Sequence, residues 1–303
     1  MVAQDTWGLG EGDEIVPGRH AVELLGGGRR YEAYLAWDDE LWTLVVAKLV
    51  RPSLVDDRGT LAGLAGEVHA LEALNHPAIV RSFGAVLSGE RPHVVLEYLD
   101  GPRLSTLIRR HGVIAEQLLP LALELCSALH YMSTVGIVHL DVKPRNVIMS
   151  APPRLIDLSV ATPAADVTRL ASPTGTDAYM APEQCDPSRF EEIGPASDVW
   201  GLGVTLYEAL TRALPFREGA GGDGAPAEER YPQLVDEPTP MRVDPGSELA
   251  AVIRSCLEKR PQDRPTALEL ASTLEPWVAA LPQARLGLFR PGGRARSSVF
   301  APA

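Results

Sequence analysis

The chain has 303 residues, of which 45% are hydrophobic and 22% charged, and its formal net charge is −12. That length allows one large domain or two lobes sharing a cleft, and the acidic balance argues against a nucleic-acid-binding surface. The three cysteines, Cys126, Cys185 and Cys256, are far apart and odd in number, which suits reduced thiols in a cytoplasmic protein and excludes a disulfide frame or a zinc cluster.

Residues 1–18 are acidic and Gly-rich without the apolar core of a signal peptide, so a flexible acidic leader is expected. Short apolar runs between Ala21 and Val50 are divided by Gly26–Gly28 and by Trp37-Asp38-Asp39, a strand–turn–strand–turn–strand pattern. Leu64, Val68, Leu71 and Leu74 recur at helical spacing over 61–74, and Asn75-His76-Pro77 stops that helix. Val94 to Leu96 suits a buried strand, and Asp100-Gly101-Pro102 breaks the chain. Helical segments then dominate at about 104–110, 115–134, 197–212, 247–258 and 266–281. The second carries the apolar stripe Leu119, Leu123, Cys126 and Leu129; Glu124 interrupts it, so no membrane span is expected. Residues 137–196 are Pro-rich strand and loop, and 217–246 suit a surface insertion. Residues 284–303 hold four Arg and no acid, the composition of a basic disordered tail. A strand-rich first third before a helical remainder predicts an α+β architecture of two unequal lobes.

Several motifs carry chemistry. Leu25-Gly26-Gly27-Gly28 lies between two strands; glycines let a backbone approach phosphate oxygens, although three in a row equally suit a flexible turn. Lys48 ends the apolar strand Val45-Val46-Ala47, where an ammonium could grip nucleotide phosphates if an acid oriented it; Glu67, on the first helix, is the natural partner. His139-Leu140-Asp141-Val142-Lys143-Pro144-Arg145-Asn146 is the strongest signal. A loop Asp can accept a hydroxyl proton, a Lys two residues on can neutralise a phosphoryl group, and an Asn carbonyl can bind Mg²⁺. Asp157 adds a carboxylate after the strand Leu155-Ile156, and one Asp plus one Asn is a common protein share of a Mg²⁺ site. Glu183, in Ala181-Pro182-Glu183, needs a cation if buried, and Arg264 is the candidate.

In this order and at these spacings, the motifs resemble the bacterial eukaryotic-like (Hanks-type) Ser/Thr protein kinases over about residues 19–283. The resemblance implies the bilobal protein-kinase fold: a small β-rich N-lobe with one helix (19–97), a hinge (98–101) and a larger, mainly helical C-lobe (102–283). It implies ATP with Mg²⁺ or Mn²⁺, and transfer to Ser/Thr hydroxyls of protein substrates. Asp141 matches the catalytic base, Lys143 the Ser/Thr-type loop lysine, Lys48 the phosphate-binding lysine and Glu67 its ion-pair partner. Asn146 and Asp157 match the metal ligands. Leu25, Gly26, Gly28, Ala33, Val46, Leu96, Glu97, Leu99 and Ile148 match positions around the nucleotide. Thr176 matches a residue of the substrate site, and Asp198 the helix Asp that braces the catalytic loop. Thr168, Ser172, Thr174 and the tail residues Ser297 and Ser298 are candidate autophosphorylation sites, and Arg294-Ala295-Arg296 before those serines suggests a tail that enters the substrate site.

The departures matter as well. Leu140 replaces the Arg that normally pairs with a phosphorylated activation loop, so Thr168 is expected to be dispensable. Asp157-Leu158-Ser159 replaces Asp-Phe-Gly, Val46 narrows the adenine pocket, and Tyr31 takes the third glycine position and stiffens the loop. These changes keep open a pseudokinase that only binds; a small-molecule phosphotransferase of related fold ranks behind it, for want of the Gly175-Thr176 to Glu183 segment.

Overall fold

The computed structural model describes residues 5–167, 172–189, 193–220, 225–241 and 248–281. The expected tail at 284–303, with Ser297 and Ser298, lies outside them, as does Thr168. The small lobe is a six-stranded antiparallel sheet. Its strands are β1 (Glu14–Val16), β2 (Arg19–Gly27), β3 (Tyr31–Asp38), β4 (Thr43–Val50), β5 (Ser82–Val86) and β6 (His93–Glu97), in the order β1-β2-β3-β4-β6-β5. Helix α1 (Arg58–Ala73) starts where the Asp57 carboxylate accepts the Thr60 N–H at 2.7 Å, a side-chain N-cap, and it stops just before Asn75-His76-Pro77.

Strand register decides what each sheet face does, because directly opposed residues share a face. Tyr31 opposes Val50, Ala33 opposes Lys48, and Val46 lies between Leu35 and Leu96. This face turns toward α1 and the cleft. The opposite face is apolar: Tyr34, Ala36, Val45, Ala47, Leu49 and Val95 are buried there with Ile15 and Ala21.

That second face overturns the expectation of a loose leader. Trp7, Leu9 and Val16 pack over it. The Trp7 indole N–H donates to the Val50 carbonyl at 2.8 Å, its backbone N–H donates to Glu32 at 3.2 Å, and the Arg91 guanidinium lies 4.9 Å from its ring. An apolar sheet face left in water costs free energy, and residues 5–16 remove that cost. Their acid and glycine content concealed the few apolar side chains that do so.

Below the sheet come α2 (Leu104–Arg110), α3 (Ala115–Val135) and the short strands β7 (Ile137–Val138), β8 (Val147–Ile148), β9 (Arg154–Leu155) and β10 (Thr162–Pro163). Then follow α4 (Pro182–Cys185), α5 (Pro195–Thr211), α6 (Ala227–Arg230), α7 (Glu248–Cys256) and α8 (Ala267–Ala280). β7 pairs with β10 and β8 with β9, so two narrow ribbons carry the loops facing the sheet. α3 packs against α5 and α8 in the core of this lobe. By length and composition α3 could cross a bilayer, but half of that stretch is buried within the fold. Gly136 ends it with φ 77°, a left-handed cap that favours glycine.

The segment 217–246, expected as a surface insertion, also reaches inward where it is described. Tyr231 and Leu234 are buried against Met180 and Cys185. The Gln233 amide donates to the carbonyls of Asp177 and Met180 at 2.7 and 3.1 Å. The insertion therefore supports the 176–185 segment from behind.

Candidate active site

The β2–β3 turn is drawn tight by its own backbone. A Cβ at Gly27 would sit 2.6 Å from the Tyr31 carbonyl oxygen, so only glycine fits. The Gly28 N–H, expected to face phosphate, donates to that same Tyr31 carbonyl at 3.0 Å. The Gly28 carbonyl accepts from Arg51 Nε at 2.7 Å. Arg51 also donates to Glu32 at 2.8 Å and to the carbonyl of Asp5. The exposed tip of the turn is Arg29-Arg30.

Lys48 projects from β4 into the space below this turn. Its ammonium donates to both Glu67 oxygens at 2.8 Å and to Asp157 Oδ1 at 2.9 Å, so sheet, helix and lower lobe meet at one nitrogen. Burial opposes the charge on Lys48, but Glu67 and Asp157 outweigh it and hold the ammonium above its ordinary range. Burial likewise disfavours the Asp157 carboxylate, and Lys48 overrides it, holding the group well below the usual carboxylate range. Burial pushes Glu67 up against the pull of Lys48.

Tyr31 joins this junction in a way the sequence did not reveal. Its ring lies 4.9 Å from Lys48 Nζ, and its hydroxyl donates to the Thr60 carbonyl of α1 at 3.0 Å. A side chain at Gly63 would come within 3.1 Å of that hydroxyl. The tyrosine in place of a loop glycine therefore depends on a glycine one helix away, and together they fasten the turn to α1.

The loop 139–146 hangs from α5. Both Asp198 carboxylate oxygens accept backbone N–H groups, from His139 at 2.8 Å and from Leu140 at 2.7 Å. Complete burial pushes the Asp198 carboxyl up to about 7, against those two donors. Asp141 accepts three side-chain donors: Lys143 Nζ at 2.5 Å, Asn146 Nδ2 at 3.0 Å and the Thr176 hydroxyl at 2.7 Å. Lys143 also donates to the Thr176 hydroxyl at 2.6 Å. Asp141, Lys143 and Asn146, read from one motif, and Thr176, read from another, thus form one network. Glu183 and Arg264 meet as a fully buried bidentate pair at 2.6 and 2.8 Å, backed by the Ser197 hydroxyl at 2.7 Å.

Leu140 is buried with Val138 and Val167, with Val160, Ala164 and Ile193 packed alongside. Apolar contact replaces the electrostatic one that an arginine would offer there. All three cysteines are buried and unpaired; burial raises each thiol, Cys256 to about 12, so none is poised as a nucleophile.

The donor set suits a hard divalent cation that arrives with phosphate. The Asn146 amide nitrogen is committed to Asp141, which leaves Asn146 Oδ1 without a protein donor among the described residues. Asp157, 37% exposed, lies on the cleft side. Among the described residues no group of three His, Cys, Asp or Glu side chains could hold a metal alone, so phosphate oxygens and water must complete such a site. Leu96 and Ile148 are each 9% exposed, Val46, Ala33 and Leu99 are half-buried, and Leu25 is 44% exposed. The Glu97 carboxylate pairs with Arg81 at 3.0 Å and Arg154 at 3.5 Å.

A lysine carried on a sheet, oriented by a helix below it and facing an Asp–Lys–Asn loop from a helical lobe, is the division of labour of the bilobal phosphotransferases. The chain matches the protein kinase domain family over residues 19–278 and belongs to that family. It is 34% identical over 267 residues to serine/threonine-protein kinase PknB of Mycolicibacterium smegmatis, covering 83% of this chain and 41% of the relative. It is 33% identical over 267 residues to PknB of Mycobacterium tuberculosis, with the same coverage. Probable serine/threonine-protein kinase PkwA of Thermomonospora curvata is 32% identical over 272 residues, 85% of this chain and 34% of the relative. The chain thus spans about two fifths of the length of the PknB relatives.

Proposed function

We propose that this chain transfers the γ-phosphoryl group of ATP to Ser and Thr hydroxyls of protein substrates. The observation that carries this reading is the joint presence of the Lys48–Glu67–Asp157 junction and the Asp141–Lys143–Thr176 network, each closed by bonds of 2.5–2.9 Å. The names of the relatives, serine/threonine-protein kinases, point the same way.

In this reading Lys48 grips the nucleotide phosphates, and Glu67 sets its direction. Leu25, Ala33, Val46, Leu96, Leu99 and Ile148 enclose the base, and Glu97 belongs to the same wall. Asn146 and Asp157 hold a divalent cation, Mg²⁺ or Mn²⁺, which draws charge from the phosphates when bound. Asp141 accepts the proton of the substrate hydroxyl; Thr176, Asn146 and Lys143 hold its carboxylate in one orientation beforehand. Lys143 then faces the charge that moves onto the phosphoryl oxygens. Catalysis is mainly positioning and electrostatics. Autophosphorylation at Ser172 or Thr174, which precede Thr176 on the same segment, belongs to this reading and is open to mass spectrometry.

Incubation with labelled ATP and Mg²⁺ tests the proposal. Asp141→Asn is expected to lower transfer by about 10²–10⁴-fold, the usual worth of a positioned acid or base, while nucleotide binding persists. Transfer by that variant at the parent rate would overturn the assignment. A parent chain that binds nucleotide but transfers nothing would make the chain a binding module.

A further inference from the structure

The first turn of α1 is fixed from two sides. The Asp57 carboxylate accepts the backbone N–H and the hydroxyl of Thr60, each at 2.7 Å, and the Thr60 carbonyl accepts the Tyr31 hydroxyl at 3.0 Å. Thr60 is buried, which limits competition from water for that carbonyl. Burial raises the Tyr31 phenol above its ordinary range, against the pull of Lys48, so the hydroxyl keeps the proton it donates. Further along the same helix, Glu67 takes Lys48. At about 1.5 Å of rise per residue, Thr60 and Glu67 lie roughly 10 Å apart along the axis. A helix fastened at one point can pivot; fastened at two, its direction is set.

Tyr31 serves both fastenings. The Lys48 ammonium sets its three N–H donors against three carboxylate oxygens, Glu67 Oε1, Glu67 Oε2 and Asp157 Oδ1, and the Tyr31 ring lies 4.9 Å from the same nitrogen. An aromatic face attracts a cation without taking any of those donors. Gly63 completes the arrangement. Helix α1 holds three glycines, at 59, 63 and 66, and Gly63 is the one at which a methyl group would meet the Tyr31 hydroxyl, at 3.1 Å. Glycine weakens a helix interior relative to alanine, so this position gives up helix stability for the room the hydroxyl needs.

We propose that Tyr31 is a positioning residue for phosphoryl transfer: bonded to the start of α1 with its ring against Lys48, it holds Glu67 and Lys48 in register. All the participants, Tyr31, Lys48, Thr60, Gly63 and Glu67, belong to the small lobe, so this register needs no phosphate on the segment after β10. The inference rests on the proposed function, in which Lys48 grips the nucleotide phosphates.

The test uses the full chain, Mg·ATP and three variants: Tyr31→Phe, which keeps the ring and loses the hydroxyl; Gly63→Ala, which crowds the hydroxyl; and the two combined. The worth of one such hydrogen bond predicts a loss in kcat of about 3–10-fold for Tyr31→Phe. The KM for ATP should stay nearly unchanged, because the wall around the base is untouched. A purely structural loss would lower the unfolding midpoint and leave the kcat of the folded chain alone. Gly63→Ala alone is expected to lower kcat as well. In the double variant the methyl meets no hydroxyl, so kcat should fall no further than in Tyr31→Phe. Losses that multiply overturn the proposal, as does a parent-sized kcat in Tyr31→Phe or a loss confined to the KM for ATP. Labelling of Lys48 by trinitrobenzenesulfonate without nucleotide, followed by mass spectrometry, reads the same register independently of transfer. An amine parted more often from Glu67 reacts more often, so Tyr31→Phe should label about 3–10-fold faster than the parent. Faster labelling in a chain that transfers nothing retains the fastening and removes the activity; transfer with equal labelling in parent and variant retains the activity and removes the fastening.

Discussion

Leu140 shows how one residue resets the wiring of a site. Buried against Val138 and Val167, it ties the catalytic loop to the segment after β10 by apolar contact. Among the described residues, the cluster around Leu140 holds no Lys or Arg to reward a phosphate on that segment. Thr168→Ala is therefore expected to keep its transfer rate within about tenfold, on the order of 1.4 kcal/mol in barrier, and a larger loss would contradict the apolar link. Asp157 has a pH signature. Its folded-state value is depressed below the ordinary one by Lys48, although burial opposes this, so the unfolded chain binds more protons in the acid range. The stability it adds is complete above its unfolded value of about 3.9 and is lost as the pH falls toward the folded value. The difference in urea-unfolding free energy between the parent and Asp157→Asn should be flat from about pH 5 upward and shrink below about pH 4. A difference that grows on acidification would contradict the ion pair.

At the scale of elements, helices were legible and edges were not. The five helical segments read from the sequence correspond to α2, α3, α5, α7 and α8; α2 ends beside Gly112 and α3 at Gly136, whereas α5 is buried nearly all round and ends at the left-handed Arg212. The leader was misread because its ordering comes from the partner surface: no local pattern in residues 5–16 states that a sheet face waits to be covered. Trp7→Ala tests that cover. Losing a partly buried ring and its hydrogen bond to Val50 should cost about 1–3 kcal/mol in chemical denaturation. A cost below about 0.5 kcal/mol would return the leader to a loose segment. The insertion around Tyr231–Leu234 was misread for a similar reason, since Gln233 earns its burial from carbonyls of Asp177 and Met180 far away in sequence.

For the molecule as a whole, the residues proposed to perform chemistry were easier to read than residues that hold them. Lys48, Glu67 and Asp157 meet in one group and Asp141, Lys143 and Asn146 in another, and in the proposed function one nucleotide dictates the spacing of both motifs. Tyr31 looked only like a missing glycine, since its meaning lies in Gly63 and the Thr60 carbonyl. Arg51 gave no signal at all. Yet this guanidinium binds the leader through the Asp5 carbonyl, the sheet through Glu32 and the β2–β3 turn through the Gly28 carbonyl. The back of the sheet and the β2–β3 turn, roof of the proposed nucleotide site, are therefore two terminals of one joint. Whatever free energy a nucleotide gains by tightening the turn against Arg51 is returned as firmer docking of the leader, and a partner that lifts the leader draws on the same account in reverse. The small lobe can thus hear from a surface on the far side of the sheet from the proposed nucleotide site.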